Sequence, residues 1–182
     1  MNFVQPIREP ELVQDIANYF RKQNERNYIM FLLGIYTGLR ITDILNLRVR
    51  DVKNRNTIVI REKKTRKQRT TEINPVLKKA LSSYIEGKDY NEYLIKSRRG
   101  RNKPISRSMA YKIMRQVADE FGLEGIGTHT LRKTFGYHFY KQTKDVVTLQ
   151  KIFNHSHPEV TLRYIGIEQE NINTAIRRFR IY

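Results

Sequence analysis

One short stretch of this chain looks like extended backbone, and its isolation limits the fold. Thr57-Ile58-Val59-Ile60 is a run of β-branched residues, which crowd a helix but pack well on a pleated surface. After it come Glu62-Lys63-Lys64-Thr65-Arg66-Lys67-Gln68-Arg69 and then Thr70-Thr71-Glu72-Ile73. The segment predicts a single hairpin with a strongly cationic tip. On both sides of it, apolar residues recur at helical spacing. Pro10 opens a first helix bearing Leu12, Val13, Ile16, Tyr19 and Phe20. A second starts near Asn24, carries Tyr28, Phe31, Leu32 and Ile35, and stops at Gly38 as a left-handed cap would. Thr42 is expected to cap a short third helix with Ile44, Leu45 and Leu47, which leaves Arg40 in a tight connection between two apolar helices.

Beyond the hairpin, Asn74-Pro75 begins a helix with Val76, Leu77, Ala80, Leu81, Tyr84 and Ile85 on one face. Residues 86–104 are polar and loop-like. Ser106 caps a helix with Met109, Ile113, Val117 and Phe121, and Gly122, Gly125 and Gly127 then break the chain. A helix from Thr130 to about Lys141 follows, then a short one after Asp145. A turn at His157-Pro158 leads to Tyr164. A tail helix over about 168–182 carries Ile172, Ile176 and Phe179. The fold is expected to be mainly α with a small antiparallel β-sheet (α+β), in one domain over residues 1–182.

Charge narrows the partners. Thirty-five Lys and Arg against eighteen Asp and Glu give a net charge of +17, and polyanions are the natural counterpart of such a surface. Absence of cysteine removes disulfides and thiolate metal sites and suits a reducing compartment. The N-terminus has no basic segment followed by an apolar one, and the longest apolar run, Tyr28 to Tyr36, is too short to span a bilayer. A cytoplasmic protein acting on nucleic acid is the expectation, with no membrane association.

Taken singly, the reactive residues have structural explanations. A tyrosine on a helix is usually packing, His129 and His155 could be core or cap histidines, and Arg40 and Arg132 could pair with Asp43. Their order is more telling. Thr37-Gly38-Leu39-Arg40-Ile41-Thr42-Asp43, a hairpin lysine at Lys64, His129-Thr130-Leu131-Arg132, His155, and Tyr164 nine residues later together resemble the catalytic domain of the tyrosine recombinases, the phage-integrase family. The likeness covers roughly residues 8 to 180.

The resemblance implies the DNA breaking-rejoining catalytic-domain fold and a role for each residue. Tyr164 would be the nucleophile that leaves a 3′-phosphotyrosyl link. Arg40 and Arg132 would grip the non-bridging oxygens, where planar bidentate donors match the developing charge. His129 would assist proton transfer at the tyrosine, and His155 would donate a hydrogen bond to the phosphate. Lys64 would protonate the leaving 5′-oxygen, with Lys63 and Lys67 as its neighbours at the tip, and Asp43 would orient its surroundings. Two guanidiniums would supply the charge that metal ions carry elsewhere, so neither metal nor cofactor is expected. The basic runs containing Lys63, Arg66, Lys67 and Arg69, and Arg98, Arg99, Arg101 and Lys103, would hold the DNA backbone.

Double-stranded DNA is the implied substrate, and a phage or mobile element of a bacterium the implied setting, with the protein nucleoid-associated. The implied assembly is a homotetramer on DNA with accessory DNA-bending proteins as further partners; the tail stripe of Ile172, Ile176 and Phe179 would either dock on a neighbour or pack on its own core. The N-terminal core-binding domain usual in the family is expected to be absent, and Asn154 stands where a glycine is usual. Two other functions remain open: a non-catalytic DNA-binding regulator with the same fold, and relaxation of supercoils of the topoisomerase IB kind.

Overall fold

The structure, a computed structural model, describes residues 4–61 and 68–181. The hairpin-tip residues Lys63, Lys64, Arg66 and Lys67 lie outside this set. Helix α1 (Pro10–Gln23) has Pro10 in its first turn and buries Ile16 and Phe20. Helix α2 (Glu25–Thr37) is capped by Asn24, whose side chain accepts from the Asn27 amide, and ends at Gly38 in the left-handed conformation, φ 61°. Helix α3 (Ile41–Asn46) differs from expectation at its start. Arg40, not Thr42, is the residue before its first turn, and it provides no side-chain cap. Helical geometry therefore begins immediately after Arg40, and Thr42 is exposed within the first turn.

A single 3₁₀ turn, Val49–Asp51, precedes strand β1 (Thr57–Arg61), which pairs antiparallel with β2 (Gln68–Glu72) from Thr57↔Glu72 to Arg61↔Gln68. Helix α4 (Pro75–Tyr84) is capped by Asn74 and buries Leu77, Leu81 and Tyr84. Val76 instead points outward, 54% exposed, because it lies one residue off that stripe. Helix α5 (Arg107–Glu120) is capped by Ser106 and buries Ala110, Ile113, Met114, Val117 and Ala118, leaving Met109 at the edge. The last four helices are α6 (Thr130–Thr143), α7 (Val146–Phe153), α8 (Pro158–Tyr164) and α9 (Ile167–Arg178).

Two apolar clusters hold these elements together. The larger one is built from α1 to α5, Ile58 of β1, Leu94, Ile95 and Leu131 of α6. The smaller one contains Tyr137, Leu149, Phe153, Ile165 and Ile167, with Phe135 and Tyr164 packed against it. Helix α6 belongs to both and so couples them. It approaches α2 closely because Gly34 has no side chain; a Cβ there would sit 2.5 Å from that of Leu131. The segment before α1 is strapped across α6. The Ile7 amide donates to Thr134 Oγ1 at 2.9 Å, and His138 Nε2 donates to the Ile7 carbonyl at 3.0 Å.

Candidate active site

Arg132 is the most constrained polar residue of the site. It sits on the first turn of α6 with only 3% of its surface exposed. Its Nη1 donates to the carbonyl of Gly38 and its Nη2 to that of Phe153 at 3.0 Å. The guanidinium also stacks on the Phe153 ring, 4.3 Å from its centre. Both carbonyls are at helix ends, where backbone acceptors lack intrahelical partners. Arg132 thus ties the end of α2 to the end of α7. These bonds leave part of its five-donor fork for another acceptor. Burial, reinforced by Arg69 and Arg40 and opposed by Tyr164 and Asp43, pushes its pKa down to about 10, so it stays charged at neutral pH.

Tyr164 ends α8 and faces the same point. Its hydroxyl lies 3.4 Å from His129 Nδ1. Its ring meets Phe153 edge-on at 5.5 Å and His155 at 5.2 Å. Burial raises its pKa above the ordinary phenol value, while the charges of Arg132 and Arg40 pull it back. Those two opposing effects describe a phenol kept protonated at rest with cations waiting for its anion.

Both histidines are held neutral. Burial lowers the pKa of His129, and Arg107, Arg132, Lys133 and Arg40 lower it further. Burial, Arg132 and Arg40 do the same to His155. A neutral His129 can take the tyrosine proton on Nδ1. The Nδ1 of His155 lies 3.0 Å from Oγ1 of the fully buried Thr161. When that hydroxyl donates, the His155 Nε2–H is left as a donor at the site. Arg40 lies before α3, exposed at its side chain, and acts electrostatically on Tyr164, His129, His155 and Asp43. Asp43 is half-buried; burial raises its pKa and Arg40, Arg132 and Arg69 oppose that rise.

Arg40, Asp43, His129, Arg132, His155 and Tyr164 are therefore brought together. Lys64 and its neighbours at the hairpin tip lie outside the described residues. Arg69, half-buried on β2, falls within electrostatic reach of Arg132 and Asp43. Arg98, Arg99, Arg101 and Lys103 are exposed, and Arg98, Arg99 and Lys103 line a cleft with Arg26 and Lys112. Three contributors were not anticipated from sequence: Thr161 behind His155, Phe153 under Arg132, and Lys133, whose Nζ is 4.9 Å from the Tyr164 ring centre. Spacing offered a signal for Lys133, four residues after His129 on one helix face; none marked the other two.

Comparison with known proteins defines the class first. A crystal structure of XerA recombinase matches 97% of this chain and 65% of its own with a TM-score of 0.74 at 23% identity. XerH site-specific recombinase, solved with its palindromic difH substrate after cleavage, matches 96% of this chain and 53% of its own at 0.72 and 19%. The fold is that of the tyrosine-recombinase catalytic region.

Sequence similarity extends further. The phage integrase family pattern matches residues 7–171. A probable integrase/recombinase of Bacillus subtilis (strain 168), YoeC, is 50% identical over 179 residues, covering 98% of both chains. Tyrosine recombinase XerA of Thermococcus onnurineus (strain NA1) is 28% identical over 94% of this chain but 61% of its own length. The chain belongs to the phage integrase family.

Proposed function

We propose that this chain is a tyrosine-type DNA recombinase that cuts and rejoins duplex DNA through Tyr164. The observation that carries the proposal is the convergence of the Tyr164 hydroxyl, His129 Nδ1 and the Arg132 guanidinium, all supplied by one chain. Tyr164 Oη attacks the scissile phosphorus, and its proton passes to His129. Arg132, Arg40 and His155 Nε2–H neutralise charge on the non-bridging oxygens as it develops. The bond to the 5′-oxygen breaks, and that oxygen takes a proton from Lys64; this last role rests on the family resemblance. Reversal by a 5′-hydroxyl of another strand restores a phosphodiester and frees Tyr164. The bond energy is conserved in the phosphotyrosine, so no ATP is required.

DNA as substrate fits the charge of +17 and the relatives solved on DNA: XerH on difH and a lambda integrase dimer on a COC′ core site. A nicked suicide duplex tests the proposal. Wild-type protein should accumulate a covalent DNA adduct and Tyr164→Phe none. Equal trapping by both would remove Tyr164 as nucleophile. Site-independent relaxation of plasmid would turn the assignment towards a topoisomerase.

A further inference from the structure

Lys133 follows Arg132 on α6, and its ammonium stands over the face of the Tyr164 ring at 4.9 Å from the centroid. Within about 6 Å a cation is drawn to the negative face of an aromatic ring. The attraction grows when the phenol loses its proton, because the phenolate spreads negative charge into the ring. The contact therefore favours the ionised tyrosine over the neutral one, which is the differential stabilisation catalysis requires. Lys133 is half-buried, so water screens this contact less than it would an exposed pair.

Several charged groups share the neighbourhood. His129, at the N-cap of α6, meets the Tyr164 hydroxyl, and Arg132 of α6 lies beside it. His155 packs on the ring from the α7–α8 turn, and Arg40 acts from the start of α3. Burial lowers the pKa of Lys133 itself, and Arg8, in the strap before α1, lowers it further. Arg132 and Arg40 act on Tyr164 electrostatically while also being the groups proposed to hold the phosphate. Lys133 instead stands over the ring itself.

We propose that Lys133 is a positioning residue for the tyrosine, holding its ring in place and favouring its phenolate. The proposal rests on Tyr164 being the nucleophile. Lys133→Met keeps the side-chain length and removes the charge, and Lys133→Arg keeps the charge. Single-turnover cleavage of the nicked duplex at saturating DNA should fall about tenfold in K133M near neutral pH, recover towards wild type as pH rises, and remain near wild type in K133R. A second measurement needs no catalysis. Tyrosine labelled with ¹³C at Cζ, with Tyr164 assigned from the Y164F spectrum, should titrate about one pH unit higher in K133M.

The proposal is overturned if the Tyr164 titration is the same in K133M and wild type, whatever happens to cleavage. A cleavage loss explained by weaker DNA binding would mark Lys133 as a backbone contact instead. Failure of the nucleophile assignment shows separately, as adducts persisting in Y164F.

Discussion

Asn154 adopts φ 55°, ψ 45° as the last cap of α7, immediately before His155. A left-handed backbone explains why glycine suits this position and why asparagine is the tolerated replacement. Asn154→Ala should lower stability by about 1 kcal/mol, and Asn154→Gly should leave it nearly unchanged; denaturant titration separates the two. The histidines give a second expectation at this scale. His129 and His155 both have pKa values below the ordinary one in the folded state. The unfolded chain therefore binds more protons in that window, and stability falls as pH drops from about 6.5 towards the folded-state values. Cleavage that needs neutral His129 should likewise keep its plateau below pH 6.5, with an acid limb lying lower. A limb centred above 6.5 in a pH–rate profile would contradict that.

Among the helices, α9 is held by little buried surface. Of its residues only Ile167 is buried; Arg163 of α8 donates to Glu168 Oε2 at 3.0 Å, and a polar clasp closes on Glu170. Tyr137 donates to Glu170 Oε2 at 2.9 Å, Lys141 donates to Oε1 at 2.8 Å, and Arg8 approaches the same carboxylate at 4.0 Å. Half-exposed ion pairs of this kind contribute roughly 1 kcal/mol or less to global stability. Glu170→Gln should therefore barely change the melting temperature yet speed amide exchange across residues 167–178, as local opening does. Exchange that stays slow there would mean the Glu170 clasp does not hold the helix. The same scale separates what was readable in sequence from what was not. Asn24, Gly38, Asn74-Pro75 and Ser106 mark their boundaries by backbone chemistry that acts locally, and each falls where expected. The start of α3 was displaced because Thr42 has a good capping side chain in a place where helical geometry has already begun. Helix α8 is seven residues long, under two turns, so it has no periodicity to detect. The gathering of Arg40, His129, Arg132, His155 and Tyr164 was suggested by their order, but the bonds from Arg132 to Gly38 and Phe153 join residues far apart in the chain and no spacing encodes them.

For the whole molecule, the two apolar clusters and the exposed tail set the terms. Ile172, Ile176 and Phe179 are 50%, 70% and 65% exposed, so they do not pack on this chain's own core, and the proposed docking of the tail on a neighbouring copy would cover them. Ile176→Asp with Phe179→Asp should keep the melting temperature and abolish any DNA-bound multimer in gel-shift and light-scattering measurements; an unchanged multimer would dismiss the tail as its contact. If the proposed DNA substrate is right, the net charge of +17 predicts an affinity that falls with salt, by a log–log slope of about −0.9 for each phosphate neutralised. The bridging role of α6 has a consequence of its own. That helix and its N-cap bring Arg132 and His129 to the Tyr164 of the same polypeptide, so under the proposed chemistry two copies defective at different residues are expected not to repair each other. A mixture of Y164F and R132A proteins should form no more covalent adduct than either alone, whereas a nucleophile lent between subunits would restore it in the mixture.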